Sequence, residues 1–137
     1  MFNTTALDDS DAAAILAAAA AESTRNAWRV SIALVDAGGH LLAFMRQTAA
    51  TPLSAQIACA KARTAAMSGR DTAFFEDLVR QGKTGFLSVP DMALLEGGVP
   101  VLVAGRCVGG IGVSGATSEQ DAQVARAGLR ALEGRAA

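Results

Sequence analysis

The 137-residue chain has no tyrosine, one tryptophan, five phenylalanines and a single histidine. With so few rings, the core has to be built mostly from Ala, Val, Leu and Ile, and each such side chain buries little area. Further burial between copies of the chain is therefore a natural source of stability. Basic residues are also sparse: twelve against thirteen acidic, for a net charge of −1, and they are scattered. Without a basic stripe or an aromatic platform, nucleic acid is excluded as a partner. One histidine with no carboxylate or thiol cluster makes a poor zinc site, which needs three or four protein ligands. The two cysteines, Cys59 and Cys107, form no Cys-x-x-Cys pair. They make no disulfide framework and behave as small hydrophobes in apolar runs, which fits a reducing cytoplasm. No apolar run approaches the roughly 20 residues needed to cross a bilayer. The Ala-rich stretch near the start follows Asp8, Asp9 and Asp11 rather than a basic segment, so it does not read as a signal peptide.

What is present argues for one folded domain, residues 1–137. Hydrophobic residues are 51% and charged residues 18%, with no break in composition. Asp8 to Arg25 reads as a helix, alanine-rich and with its aspartates at the N-terminal end. Trp28 to Asp36 and His40 to Arg46 read as a hairpin about the Gly38-Gly39 turn, followed by a polar connector, Gln47 to Thr51. Pro52 opens a helix that stops at Gly69, and Thr72 to Arg80 is a shorter one. After a loop, Met92 to Leu95, Val99 to Ala104 and Arg106 to Val113 read as three short strands, and Thr117 to Leu132 closes the chain as a helix. Short turns between neighbouring strands make them antiparallel. The expectation is an α+β sandwich around a five-stranded sheet.

Within the last strand, Gly109, Gly110 and Gly112 supply no side chain to pack. Glycine there lets a ligand or another backbone come close. The Gly110-x-Gly112-x-x-Gly115 spacing is that of a dinucleotide loop, but no second βαβ unit or ribose-binding acid follows, and that reading is rejected. Thr117, Glu119 and Asp121 are explained as a helix cap and first-turn acids, which disfavour a phosphate at that helix end.

Four ordered segments resemble a known family. They are Val35-Asp36-Ala37-Gly38-Gly39-His40, Ala60-Lys61-Ala62-Arg63-Thr64-Ala65, Gly97-Gly98-Val99-Pro100, and Gly112-Val113-Ser114-Gly115-Ala116 followed by Glu119-Gln120-Asp121. Together they resemble the GlcG/HbpS-like, or haem-degrading domain, family across most of the chain. The resemblance implies a profilin-like sandwich and a homo-oligomer. Some relatives bind haem, and others come from small-acid catabolic operons without a settled activity. Such a family predicts fold better than function.

Candidate site residues follow from chemistry. His40 can ligate haem iron, where one axial ligand suffices, or act as a general base near neutral pH. Lys61, in the Ala-rich helix, can bind a carboxylate or act as a base, or snorkel to solvent. Glu96, at the Glu-Gly-Gly turn, can pair with Lys61 or serve as a second acid–base group. Arg46 can clamp a carboxylate or propionate bidentately, and Gly112, Ser114 and Gly115, of the glycine-rich strand and its turn, are the other ligand-binding candidates. Arg63 reads as a surface or interface residue. The leading expectation is a small-ligand-binding protein that takes haem or a related tetrapyrrole, with His40 as the iron ligand. The alternatives are a cofactor-independent enzyme on a small carboxylate or carbonyl compound, using His40, Lys61 and Glu96, and a non-catalytic oligomeric accessory protein. The ligand reading requires His40 and Lys61 to share a hollow beside the glycine-rich strand.

Overall fold

The computed structural model describes residues 1–135. Helix α1 (Asp9–Arg25) leads into strands β1 (Ser31–Asp36) and β2 (Leu41–Arg46), then helices α2 (Pro52–Ser68) and α3 (Thr72–Arg80). A 3-10 turn (Gly85–Ser88) precedes β3 (Gly98–Val103) and β4 (Arg106–Ser114), and α4 (Ser118–Leu129) ends in a second 3-10 turn. Helix ends follow local chemistry. The Asp8 and Asp11 carboxylates each accept the other's backbone N–H, and Thr117 and Gln120 form the same reciprocal cap on α4. Thr51 caps α2 ahead of Pro52, and Gly69 closes it at φ 70°, in the left-handed region that glycine enters freely.

The sheet is antiparallel, in the order β2-β1-β4-β3, and it has four strands rather than the five expected. Met92 to Leu95 is the missing one. Its backbone bonds to helix side chains instead of a neighbouring strand: Ala93 N–H donates to Thr64 Oγ1, and Leu95 C=O accepts from Thr72 Oγ1. An apolar run of four residues carries no periodicity that separates a strand from a segment pinned to helices.

Alternation along β1 divides the interior. Val30, Ile32 and Leu34 face α1 and α4, where they join Ile15, Ala19, Val101, Ile111, Val113 and Val124 in the main core. Ala33 and Val35 face the other way, with Ala58, Ala62 and Ala66 of α2. On that second face β4 presents Gly110 and Gly112. A Cβ at Gly112 would lie 2.1 Å from the Ala58 carbonyl oxygen, and one at Gly110 would lie 2.4 Å from that of Ala62. The glycines therefore admit another backbone: α2 lies flush on β4 through alanines spaced i, i+4 and i+8.

Candidate functional site

The predicted site residues fall in three separate places. His40 ends the β1–β2 turn, with its ring 82% exposed. Asp36 organises that turn: its carboxylate accepts the backbone N–H of Gly38 and of His40, both at 2.9 Å, and meets His40 Nδ1 at 3.2 Å. The His40 N–H, aided by that of Gly38 and by the ring, holds the Asp36 carboxyl below its ordinary range. Asp36 engages Nδ1, and Nε2 makes no hydrogen bond among the described residues; a carboxylate on one ring nitrogen is the arrangement metal-binding histidines use.

Lys61 lies elsewhere, with its side chain 3% exposed. Its Nζ donates to the Val113 carbonyl at 2.8 Å and to Asp121 Oδ2 at 3.2 Å, while Asp121 Oδ1 accepts the Ala116 N–H. Burial raises the Asp121 carboxyl above its usual value, and Lys61 with the Ala116 and Gly115 N–H groups holds it back. The partner of Lys61 is thus Asp121 and not Glu96, which stands half-buried at the neighbouring turn. Gly97, at φ 130°, has to be bare there, since a Cβ would fall 2.7 Å from the Val113 carbonyl oxygen and 2.6 Å from Lys61 Nζ.

His40 and Lys61 do not converge. Asp36, beside His40, pairs with Gly109, whereas Lys61 reaches Val113 four residues further along β4. That is about 13 Å at the usual strand rise. The hollow expected beside the glycine strand is filled by α2 over Gly112. Ser114 is buried opposite Ser31, and Gly115 (φ 137°) has its Cβ direction against the Arg29 carbonyl. Arg46 pairs across from Ser31, at the end of the sheet remote from His40.

One apolar cavity was not legible in the sequence. A cleft of about 420 Å³ runs between α2 and the segment after α3, lined by Arg63, Thr64, Met67, Ser68, Phe75, Phe86, Val89, Pro90, Asp91 and Met92. Phe86 stacks edge-on against Phe75 at 5.0 Å between ring centres. The polar hydroxyls are already committed: Thr64 Oγ1 donates to the Ala60 carbonyl and accepts from Ala93, and Ser68 Oγ donates to the Thr64 carbonyl. Arg63 has no acidic partner among the described residues. The β1–β2 turn abuts this wall, because a Cβ on Gly39 would sit 3.2 Å from Met67 Sδ and 3.5 Å from Arg63 Cγ. Cys59 lies one turn of α2 from Arg63. Burial raises its thiol, against the pull of Arg63, so it stays neutral near pH 7.

Residues 7–130 match the family described as "Haem degrading protein HbpS-like". The chain belongs to the HbpS-like family. Protein GlcG of Escherichia coli (strain K12) is 48% identical over 103 residues, 75% of this chain and 77% of GlcG. The crystal structure of a double mutant of Streptomyces reticuli HbpS superposes with a TM-score of 0.89 at 34% identity, covering 96% of this chain and 90% of that one. A PduOC–haem complex superposes at 0.87 with 28% identity, covering 93% and 95%. HbpS-like membership fits the α+β architecture of helices on an antiparallel sheet. Among the described residues no helix is long and apolar enough to cross a membrane.

Proposed function

We propose that this HbpS-like chain is a small-ligand-binding protein that takes haem or a related tetrapyrrole at the His40 end of the sheet. The observation that carries the reading is the orientation of His40. Asp36 holds Nδ1, Nε2 is left free, and the turn rests on Met67 and Arg63 at the wall of an apolar cleft. His40 would hold the iron, Met67 and the cleft would receive the apolar ring edge, and Arg63 would meet a propionate. Bound haem would supply an iron centre whose properties the protein's own ligand tunes. The chain's own residues orient the imidazole, keep it available and supply the apolar wall. The acid–base alternative has less support, since His40 stands apart from Lys61 and Glu96, and Lys61 is paired with Asp121.

A second copy of the chain is the partner this reading expects. β2 is an edge strand that exposes Leu41, Leu42, Phe44 and Met45, the kind of edge that proteins otherwise blunt with charge or cover. Two free thiols fit a reducing cytoplasm. Titration with haem tests the ligand. We expect a Soret band at a defined stoichiometry, lost in His40→Ala and weakened in Asp36→Asn. Weak binding that is the same in His40→Ala would overturn the proposal.

A further inference from the structure

A second charged hollow lies at the other end of β2, where the strand runs into α2. It measures about 540 Å³ and is lined by Arg29, Met45, Arg46, Gln47, Thr48 and Ala49. Ser31 stands opposite Arg46, and Gln47 N–H continues the pairing to the Val30 carbonyl. Arg29, just before β1, and Arg46, at the end of β2, thus line the same hollow. Neither arginine is in an ion pair among the described residues, and no carboxylate lines the hollow.

Gln47 cannot neutralise them. Its Oε1 accepts from Val30 N–H and Ser23 Oγ, and its Nε2 donates to Thr24 Oγ1. The Gln47–Ala50 turn, closed by the Ala50 N–H to the Gln47 carbonyl, fixes the rim, with Ala49 at φ 75°. Two guanidinium groups on one hollow with no carboxylate among its lining give it a positive potential. Each offers a planar fork of donors matched to a carboxylate or phosphate.

We propose that Arg29 and Arg46 form a binding site for a small dianion, a dicarboxylate or a phosphate monoester, independent of the His40 end. Arg29 and Arg46 each take one anionic group, or share one doubly charged group, and the Thr48 hydroxyl supplies a neutral donor. The site needs no contribution from His40, so it stands or falls apart from the haem reading.

Amide NMR titration of the whole chain with succinate, and separately with inorganic phosphate, tests this against sodium chloride at matched ionic strength. We expect saturable shifts confined to residues 29–31 and 46–50 with at least one of the two anions; the tighter of them names the class. Arg29→Gln and Arg46→Gln should each weaken binding about tenfold or more, while Arg106→Gln and His40→Ala leave it unchanged. Both arginines are exposed, and unshifted core amides in the variants show that the fold is kept. Shifts that never saturate, match those from chloride, or survive both substitutions would overturn the site.

Discussion

Replacing Lys61 by Met keeps the buried stem and removes only the ammonium. Asp121, 4% exposed at its side chain, would then keep backbone N–H donors and lose its counter-charge. Burial already raises this carboxyl, so without Lys61 it takes up a proton in the folded state while remaining ionised in the unfolded chain. Such a proton costs about 1.36 kcal/mol for each pH unit above the unfolded value near 3.9. That sets a ceiling of about 4 kcal/mol at pH 7 and about 1.5 kcal/mol at pH 5. The wild-type carboxyl, raised in the same direction, already bears part of this cost. The lost Nζ–Val113 bond adds about 1 kcal/mol. The expected loss is about 3 kcal/mol at pH 7, in the range for breaking a buried pair. The sign follows from proton counting. Between the unfolded value and the raised folded one, the native state binds the extra proton, so the variant loses stability relative to wild type as pH rises. Urea unfolding of both proteins at pH 5, 6 and 7 measures the difference, and adding Asp121→Asn should flatten its pH dependence. A loss below about 1 kcal/mol, or one that grows as pH falls, would refute the reasoning.

Gly112→Ala should destabilise strongly, because its Cβ meets the Ala58 carbonyl at 2.1 Å and both atoms belong to rigid backbone. We expect a fall of roughly 10 °C or more in the thermal midpoint. Gly85→Ala, with nothing within 4 Å, should change it little, and calorimetry of the two variants checks the contrast. Phe44→Glu, placed on the exposed apolar edge strand, should reduce the assembly size seen by light scattering without altering the far-ultraviolet spectrum.

Much of the fold was written in local signals. The Asp8 and Thr117 caps, Pro52 and Gly69 bound their helices within a residue or so of expectation. What escaped was non-local. Met92 to Leu95 is held by Thr64 and Thr72, whose roles depend on helices that the local pattern does not place beside it. Lys61 finds Asp121 sixty residues away. Asp121 had a sufficient local explanation as a first-turn acid, which hid its partner. A lysine flanked by small apolar residues in an Ala-rich helix was the available hint. Arg63 looked like surface because the cleft it borders is made by Phe86 and Met92, in a segment with no periodic pattern. The His40 turn was legible as a turn, but the contact of Gly39 with Met67 was not.

The bare stretch of β4 under α2 gives the domain two halves of unequal thickness. On the α1 and α4 side, large aliphatic groups interlock and can exchange a methylene with a neighbour. On the α2 side little more than alanine methyls and main chain separate the two layers, so there is no bulk to trade. Larger side chains on the thin side find room only on the outward rows of α2, where Arg63 and Met67 stand. Changes of chemistry on this side would thus amount to repainting one helix surface over an unyielding base.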